Sequence, residues 1–151
     1  MPDNESYQAG GTLTFATQKM MTFSFGQPFS DPMGLGRWSG LHFRGKPNKQ
    51  FTTITACRVC AGSFRSAQLG SSFAREYEHF KGQGIASPRP RKLFLTDLAQ
   101  DITTFQAAGH SILLMMDLNG KLSDNEDLKT FITQCRSALS FTSTRSSESP
   151  N

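Results

Sequence analysis

The sequence predicts a mixed α/β (α+β) domain in which antiparallel strands come first and helices with one buried strand follow. Apolar and β-branched residues alternate with polar ones over most of residues 12–57, which is typical of strands. After residue 71 the apolar residues recur at helical spacing, interrupted by one apolar run at residues 110–117. Because 151 residues suffice for one core but not for two, we expect residues 10–136 to form a single domain.

Four strands are predicted in the first part of the chain, at residues 12–17, 20–25, 37–44 and 50–57. Residues 26–36 and 45–49 are rich in glycine and proline, so we expect a loop and a turn there. Short connections between successive strands favour an antiparallel meander.

Helix caps divide the second part. Ser71 and Ser72 are typical N-cap residues and predict a helix over residues 73–80, after a loop at 59–70. Gly109 ends a second helix, which follows two prolines, and Asp124 is predicted to cap a third. The second helix presents an apolar stripe made of Leu93, Phe94, Leu98, Ile102 and Phe105. Residues 1–9 and the Ser/Thr-rich tail 137–151 are predicted to be disordered.

The charge distribution points to a polyanionic partner. The net charge is +4, and no Asp or Glu occurs between residues 32 and 74. That acid-free segment carries Arg37, Arg44, Lys46, Lys49, Arg58 and Arg65. A second basic cluster lies at residues 89–92. Lysine and arginine gain free energy by displacing counterions from phosphates, so DNA or RNA is the expected partner. A solvated basic face explains the same composition equally well.

The remaining composition favours an intracellular protein, nuclear or cytoplasmic. No apolar run is long enough to cross a membrane, and the first residues lack a signal-peptide pattern. Three cysteines are an odd number and do not form a disulfide framework. Cys57 and Cys60 have the spacing of a zinc or redox pair, but no second ligand pair matches them, so two ordinary reduced thiols are favoured.

Asp117 and Asn119 are the leading candidates for a functional site. They leave the end of the apolar run 110–117 two residues apart, a spacing that directs strand side chains to one side. Ligands of open α/β sheets bind beyond the carboxyl ends of strands, and a carboxylate beside an amide suits a hydrated Mg²⁺ and a phosphate oxygen. The alternative is an Asx turn that satisfies backbone groups at a strand end.

Taken in order, five segments resemble the endonuclease/exonuclease/phosphatase superfamily, most closely the endonuclease-like domains of retroelement-derived reading frames. They begin at Gly10 (GGTLT), Asp31 (DPMGLGRWSG), Ile54 (ITACRVC), Pro90 (PRKLFLTDL) and Ile112 (ILLMMDLN), and the likeness covers residues 10–135. The resemblance implies part of a four-layer α/β sandwich that hydrolyses phosphodiester bonds with Mg²⁺ or Mn²⁺.

By this resemblance Asp117 matches the carboxylate that activates the attacking water and contributes to metal binding. Asn119 matches the amide that holds the scissile phosphate. Arg58 follows the strand where the family carries a Tyr-Arg motif, and it is expected to contact phosphate. Arg37, in the acid-free segment, is a second candidate for a phosphate contact.

The chain departs from the family pattern at three places. Cys57 occupies the tyrosine position, the metal-binding glutamate would precede Gly10, and the Ser-Asp-His motif is absent from residues 139–151. We therefore expect the middle part of a nuclease domain, with weak or no activity in isolation. The alternative is a non-catalytic nucleic-acid-binding or scaffold protein that uses the basic segment 32–75. A third expectation is that half a sandwich leaves an apolar sheet face uncovered and folds poorly.

Overall fold

The computed structural model describes residues 11–45, 49–60, 71–120 and 125–135. Within them the fold is mixed α+β, with one four-stranded mixed sheet and four helices, which confirms the predicted class. The elements in chain order are α1 Gln18–Met21, β1 Ser24–Ser30, β2 Trp38–Arg44, β3 Gln50–Cys57, α2 Ser72–Gly82, α3 Pro90–Ala107, β4 His110–Asp117 and α4 Glu126–Cys135. The predicted disordered ends, 1–9 and 137–151, and the predicted cap at Asp124 lie outside the described residues.

The strands lie in the order β1-β2-β3-β4. The pairs β1–β2 and β2–β3 are antiparallel, whereas β3 and β4 are parallel. The connection from β3 to β4 runs through α2 and α3, and such a crossover returns the chain in the same direction. The parallel register places Cys57 opposite Asp117, so the carboxyl ends of β3 and β4 meet at one edge of the sheet.

The core lies between one sheet face and helices α3 and α4. Trp38, Ile54 and Ile112 project from three neighbouring strands and pack among apolar helix residues. The fully or almost fully buried residues of α3 and α4 include Phe94, Leu95, Leu98, Ile102, Leu128, Phe131 and Cys135. Each such side chain contributes about 1.5–3 kcal/mol relative to an exposed one. Trp38 is 0% exposed and packs edge-on against Phe94, so it belongs to the core.

The opposite sheet face is open along β4. Leu113 and Met115 point to that face and are 53% and 48% exposed. The prediction of a buried strand at 110–117 is therefore correct in position and wrong in burial, since Ile112 is the only buried residue of β4. The physical reason is that successive strand residues alternate between the two sheet faces, and among the described residues only the helix-facing side of β4 is covered by the core.

Two predictions for the N-terminal part are wrong. Residues 12–17 form no strand, and two of their threonines instead donate side-chain hydrogen bonds to the backbone: Thr12 Oγ1 donates to Gly36 O at 3.3 Å and Thr14 Oγ1 to Ser39 O at 3.0 Å. The strand predicted at 20–25 starts later, because α1 occupies Gln18–Met21 and β1, Ser24–Ser30, extends into the predicted loop. An edge strand tolerates proline and irregular pairing, which a central strand does not. β1 contains Pro28, and Gly26, with a φ of 70°, lies at a shift in the register between β1 and β2.

The other predicted strands and helices are confirmed, whereas the predicted turn 45–49 and loop 59–70 lie largely outside the described residues. Ser71 caps α2, its side chain accepting a hydrogen bond from Ala74 N, and Gly109 follows the end of α3 with a left-handed φ of 86°. At α4, Asn125 Oδ1 accepts from Leu128 N at 3.2 Å. No helix among the described residues has both the length and the apolar character needed to cross a membrane.

Candidate functional site

The carboxyl ends of β3 and β4 form the candidate site. Arg58 follows β3, and its backbone N–H donates to the carbonyl oxygen of Asp117 at 3.0 Å. Three residues predicted from the sequence, Arg58, Asp117 and Asn119, therefore lie together here. Helix α3 begins beside them, and α4 follows β4 in the chain.

Asp117 is exposed at the end of β4, and its carboxylate forms a local turn. Its Oδ1 accepts a hydrogen bond from the backbone N–H of Asn119 at 3.0 Å. Asn119 has a φ of 44°, a left-handed conformation that asparagine adopts more readily than most residues. This is the Asx turn that the sequence analysis gave as the alternative to a catalytic role. The turn uses one of the two carboxylate oxygens of Asp117 as a hydrogen-bond acceptor.

The amide of Asn119 links the two strand ends. Its Nδ2 donates to the carbonyl oxygen of Arg58 at 2.6 Å and lies 3.8 Å from the sulfur of Cys57. The strand alternation ends at Asp117, so Asn119 does not follow it and turns across to the β3 end. This amide is held by the protein, and its predicted role in holding a scissile phosphate stays a prediction.

Arg58 is a buried cation with one unsatisfied donor. The residue is 1% exposed, and its Nε donates to the carbonyl oxygen of Arg91 at 3.2 Å. Its Nη1 is buried and has no hydrogen-bond partner. Burial lowers the pKa of the guanidinium, the neighbouring Arg91 cation lowers it further, and Asp127 acts in the opposite direction. The sequence predicted a phosphate contact for Arg58, and its position on a pocket is compatible with that role.

Arg91 ties helix α3 to both strand ends. One terminal nitrogen donates to the carbonyl oxygen of Val59, and the other donates to that of Asn119 at 2.9 Å. Gly120 leaves room for this guanidinium, since a Cβ there would lie 3.1 Å from Arg91 Nη2. Both partners are neutral carbonyl groups, so the contacts position the cation without neutralising it.

Arg58 and Arg91 line a pocket of about 340 Å³ at the start of α3, whereas Asp117 and Asn119 are not among its lining residues. Its polar and charged lining consists of Arg58, Arg89, Arg91, Lys92, Asn125 and Asp127. Four of these residues are cations and one is an acid, so the pocket is electropositive. Phe73 and two prolines complete the wall.

Arg37 lies at the same end of the sheet but faces the interior. Its backbone carbonyl accepts from Cys57 N at 3.0 Å, while its side chain is buried beside α3. The guanidinium donates twice to Asp31, at 2.6 and 2.9 Å, and once to Asp97 at 2.9 Å. Burial by itself would lower the pKa of Arg37, but the bonds to Asp31 and Asp97 raise it. All three guanidinium nitrogens serve the fold, and a phosphate contact by Arg37 stays a prediction that this geometry does not favour.

The described residues offer few ligands for the Mg²⁺ or Mn²⁺ that the resemblance implies, and binding of that ion stays a prediction. Mg²⁺ requires near-octahedral oxygen coordination, and enzymes hold it with one or two carboxylates plus the phosphates of the substrate. Asp117 is the one carboxylate at the described strand ends, and one of its oxygens belongs to the Asx turn. In the parts of the chain that the structure describes, no group of three or more His, Cys, Asp or Glu side chains is arranged to hold a metal. Cys57 and Cys60 are free thiols.

Sequence reasoning identified residues 89–92 as a basic cluster but did not join it to Arg58. A signal was present, because the cations begin a helix, where carboxylates are normally favoured.

Comparison of the chain with protein-family models, with curated proteins and with solved structures finds no match in any of the three.

Proposed function

We propose that this chain is a nucleic-acid-binding domain that contacts phosphate groups at the carboxyl edge of β3 and β4. The observation that carries the proposal is the pocket formed by Arg58, Arg89, Arg91 and Lys92, opposed by Asp127 alone among acids. Ligands of open α/β sheets bind beyond the carboxyl ends of parallel strands, and this pocket lies there. Phosphate is the anion that such a cluster suits, because guanidinium groups match its geometry and charge.

The geometry also restricts which residues of the acid-free segment can contact the same ligand. Arg58 lies at the carboxyl edge, whereas Arg44 and Lys49 flank the predicted turn between β2 and β3 at the opposite end of the sheet. A strand of seven to eight residues separates the two ends by roughly 25 Å. The acid-free segment 32–75 is therefore continuous in sequence but divided in space. We expect phosphate binding to depend on the α3 end more than on the turn.

Salt-dependent binding tests the proposal. Fluorescence anisotropy of a labelled single-stranded oligonucleotide, recorded across a salt series, gives the slope of log K against log salt. Each neutralised phosphate contributes about −0.7 to that slope for single strands. Arg89→Gln combined with Lys92→Gln removes two exposed cations and is expected to make the slope less negative by about 1.4.

A matched control removes two exposed cations elsewhere. Lys19→Gln with Lys81→Gln changes the net charge equally and leaves the pocket intact. Binding that is insensitive to salt would refute the proposal. An equal change of slope in both double variants would refute the location at the α3 end.

A second candidate is metal-dependent phosphodiester hydrolysis, implied by the resemblance to endonuclease/exonuclease/phosphatase domains. One observation favours it: Asp117 is exposed at the same strand end, next to the cationic pocket. We propose weak or no cleavage for this chain alone, since the described donors are too few for a metal. Nicking of supercoiled DNA with added Mg²⁺ or Mn²⁺ tests this. Robust cleavage that Asp117→Ala abolishes would establish the hydrolase and overturn the expectation of inactivity.

We also propose that the sheet is one half of a four-layer sandwich. The open face around Leu113 and Met115 supports this architecture, because a second sheet would cover apolar side chains that are now exposed. Limited proteolysis and thermal denaturation of the chain alone test its independent stability. A cooperative transition with a midpoint above about 45 °C, the range of ordinary mesophilic domains, would argue against a missing half.

A further inference from the structure

We propose that the pocket beside α3 binds a phosphate monoester, namely the terminal phosphate of a nucleic-acid strand. The assignment of the phosphate to a strand end rests on the proposed function, whereas the anion site itself does not. Three independent features of the described residues converge on it: a buried donor without a partner, an uncapped helix start that carries cations, and the size and wall of the pocket.

The buried donor is Nη1 of Arg58. A buried polar atom without a hydrogen bond costs free energy, and native proteins leave few of them without a reason. Arg58 is 1% exposed, lines the pocket, and is fixed from the other side by its Nε bond to Arg91 O. A phosphate oxygen that reaches this nitrogen on binding would accept its hydrogen bond and satisfy it. The orientation of Arg58 is therefore set before a ligand arrives.

The helix start reinforces the same location. Helix α3 is 18 residues long, its N-cap Arg89 makes no side-chain capping bond, and its first turn contains no acid. The first turn instead carries Arg91 and Lys92, although the positive end of a helix dipole normally favours negative charge. Cations at that end repel the dipole and one another. A bound anion relieves both repulsions at once, which makes the helix start a phosphate site of known type.

The dimensions favour the end of a strand over its interior. A cavity of about 340 Å³ is at the lower limit for small-ligand sites and holds one phosphate with part of a nucleotide. A terminal phosphate offers three free oxygens and a charge between −1.5 and −2, as phosphate monoesters carry at about pH 7. An internal phosphodiester has two free oxygens and one charge, and the nucleotides on both of its sides would have to extend out of the pocket. Phe73 provides an apolar wall on which a terminal base can stack.

The test compares three otherwise identical oligonucleotides, with a 5′-phosphate, with a 3′-phosphate and with hydroxyls at both ends, by fluorescence anisotropy. We expect at least one phosphorylated form to bind wild-type protein about tenfold more tightly than the hydroxyl form, as charge-assisted bidentate contacts allow. The Arg89→Gln/Lys92→Gln protein is expected to lose that preference, and the Lys19→Gln/Lys81→Gln control to keep it. Arg58→Lys, which keeps the charge but removes Nη1, is expected to lose it too, with circular dichroism reporting its folding.

A second measurement reads the pocket without nucleic acid. Inorganic phosphate is expected to raise the melting temperature of the wild type and of the Lys19/Lys81 control above that in sodium chloride of equal ionic strength, but not that of the Arg89/Lys92 variant. If phosphate stabilises the wild type and no oligonucleotide binds, the anion site stands and the proposed function falls. If oligonucleotides bind with salt dependence but without preference for a terminal phosphate, the proposed function stands and this inference falls. A preference that survives the Arg89/Lys92 change also refutes it.

Discussion

Glu76→Gln is expected to stabilise the protein at neutral pH. Glu76 lies on α2, is 5% exposed, and its Oε2 is buried without a hydrogen-bond partner. The nearby cation, Arg37, already donates all three of its side-chain nitrogens to Asp31 and Asp97. Ionised Glu76 is thus a buried carboxylate beside two others, with one arginine among them.

The pKa of Glu76 gives the magnitude. Burial raises this pKa from its ordinary value of 4.5 to about 7, while Arg37 acts to lower it and the carboxylates of Asp31 and Asp97 raise it. A group whose pKa is higher in the folded state binds more protons when folded, so its contribution to stability is present below pH 4.5 and is lost as pH rises through 7. At 1.36 kcal/mol per pH unit, the cost of ionised Glu76 above pH 7 is about 3 kcal/mol. Glutamine keeps the shape and removes the charge, so the gain is expected to be about 1–3 kcal/mol.

Urea denaturation of the wild type and of Glu76→Gln at pH 5, 6, 7 and 8 measures this gain. The difference in free energy of unfolding is expected to fall to about a quarter of its full value near pH 5 and to reach that full value near pH 8. Glu78 supplies the control, because it is exposed on the same helix, and Glu78→Gln is expected to change stability by less than about 0.5 kcal/mol at every pH. A Glu76→Gln protein that is less stable than the wild type at pH 8, or a gain that does not vary with pH, would refute the reasoning.

Three further predictions concern the sheet and its ion pairs. Gly40→Ala is expected to cost about 1–3 kcal/mol, because a Cβ there would overlap the Phe29 ring and a strand backbone oxygen; an unchanged urea midpoint would contradict this. Asp31→Asn leaves the buried guanidinium of Arg37 with one carboxylate instead of two, so the free energy of unfolding is expected to fall by about 3–5 kcal/mol. Thermal denaturation measures this change, and a loss below about 1 kcal/mol would contradict the prediction. Burial lowers the pKa of His42, so stability from this residue is present above pH 6.5 and is lost as pH falls below it; an NMR titration midpoint at or above 6.5 would contradict the direction.

The sequence predicted those parts of the fold that are determined by residues close together in the chain. The cap at Ser71, the left-handed Gly109 and the apolar stripe of α3 each act within a few residues of chain. The same reasoning failed near the N-terminus, where alternation at 12–17 indicated a strand without indicating a partner. Most of β1 was missed for the converse reason, since Gly26 and Pro28 indicate a loop unless the strand is known to lie at an edge.

The site was partly predictable for the same reason. The D-x-N pattern located the end of β4 and offered the Asx turn as an alternative, and both are determined by adjacent residues. The pocket was not predictable, because its lining comes from the end of β3, the start of α3 and the start of α4. Only the parallel pairing of β3 with β4 brings these segments together, and the sequence of β4 alone does not specify its direction. The burial of Glu76 likewise depends on how α2 docks, which no periodicity encodes.

The two buried arginines of the acid-free segment, Arg37 and Arg58, lie in opposite electrostatic environments. Arg37 is surrounded by carboxylates, so its charge is neutralised inside the protein and contributes to holding β2 against α3. Arg58 receives no carboxylate within the described residues, and the charge of Arg91 beside it meets only carbonyl oxygens. Carbonyl dipoles orient a guanidinium but leave its net charge in place, and Asp127 offsets only part of the total. A domain that needed these arginines for stability alone would gain more from acids at their sides, as it does at Arg37. The unneutralised pair therefore marks the carboxyl edge, rather than the acid-free segment as a whole, as the surface on which an anion is expected.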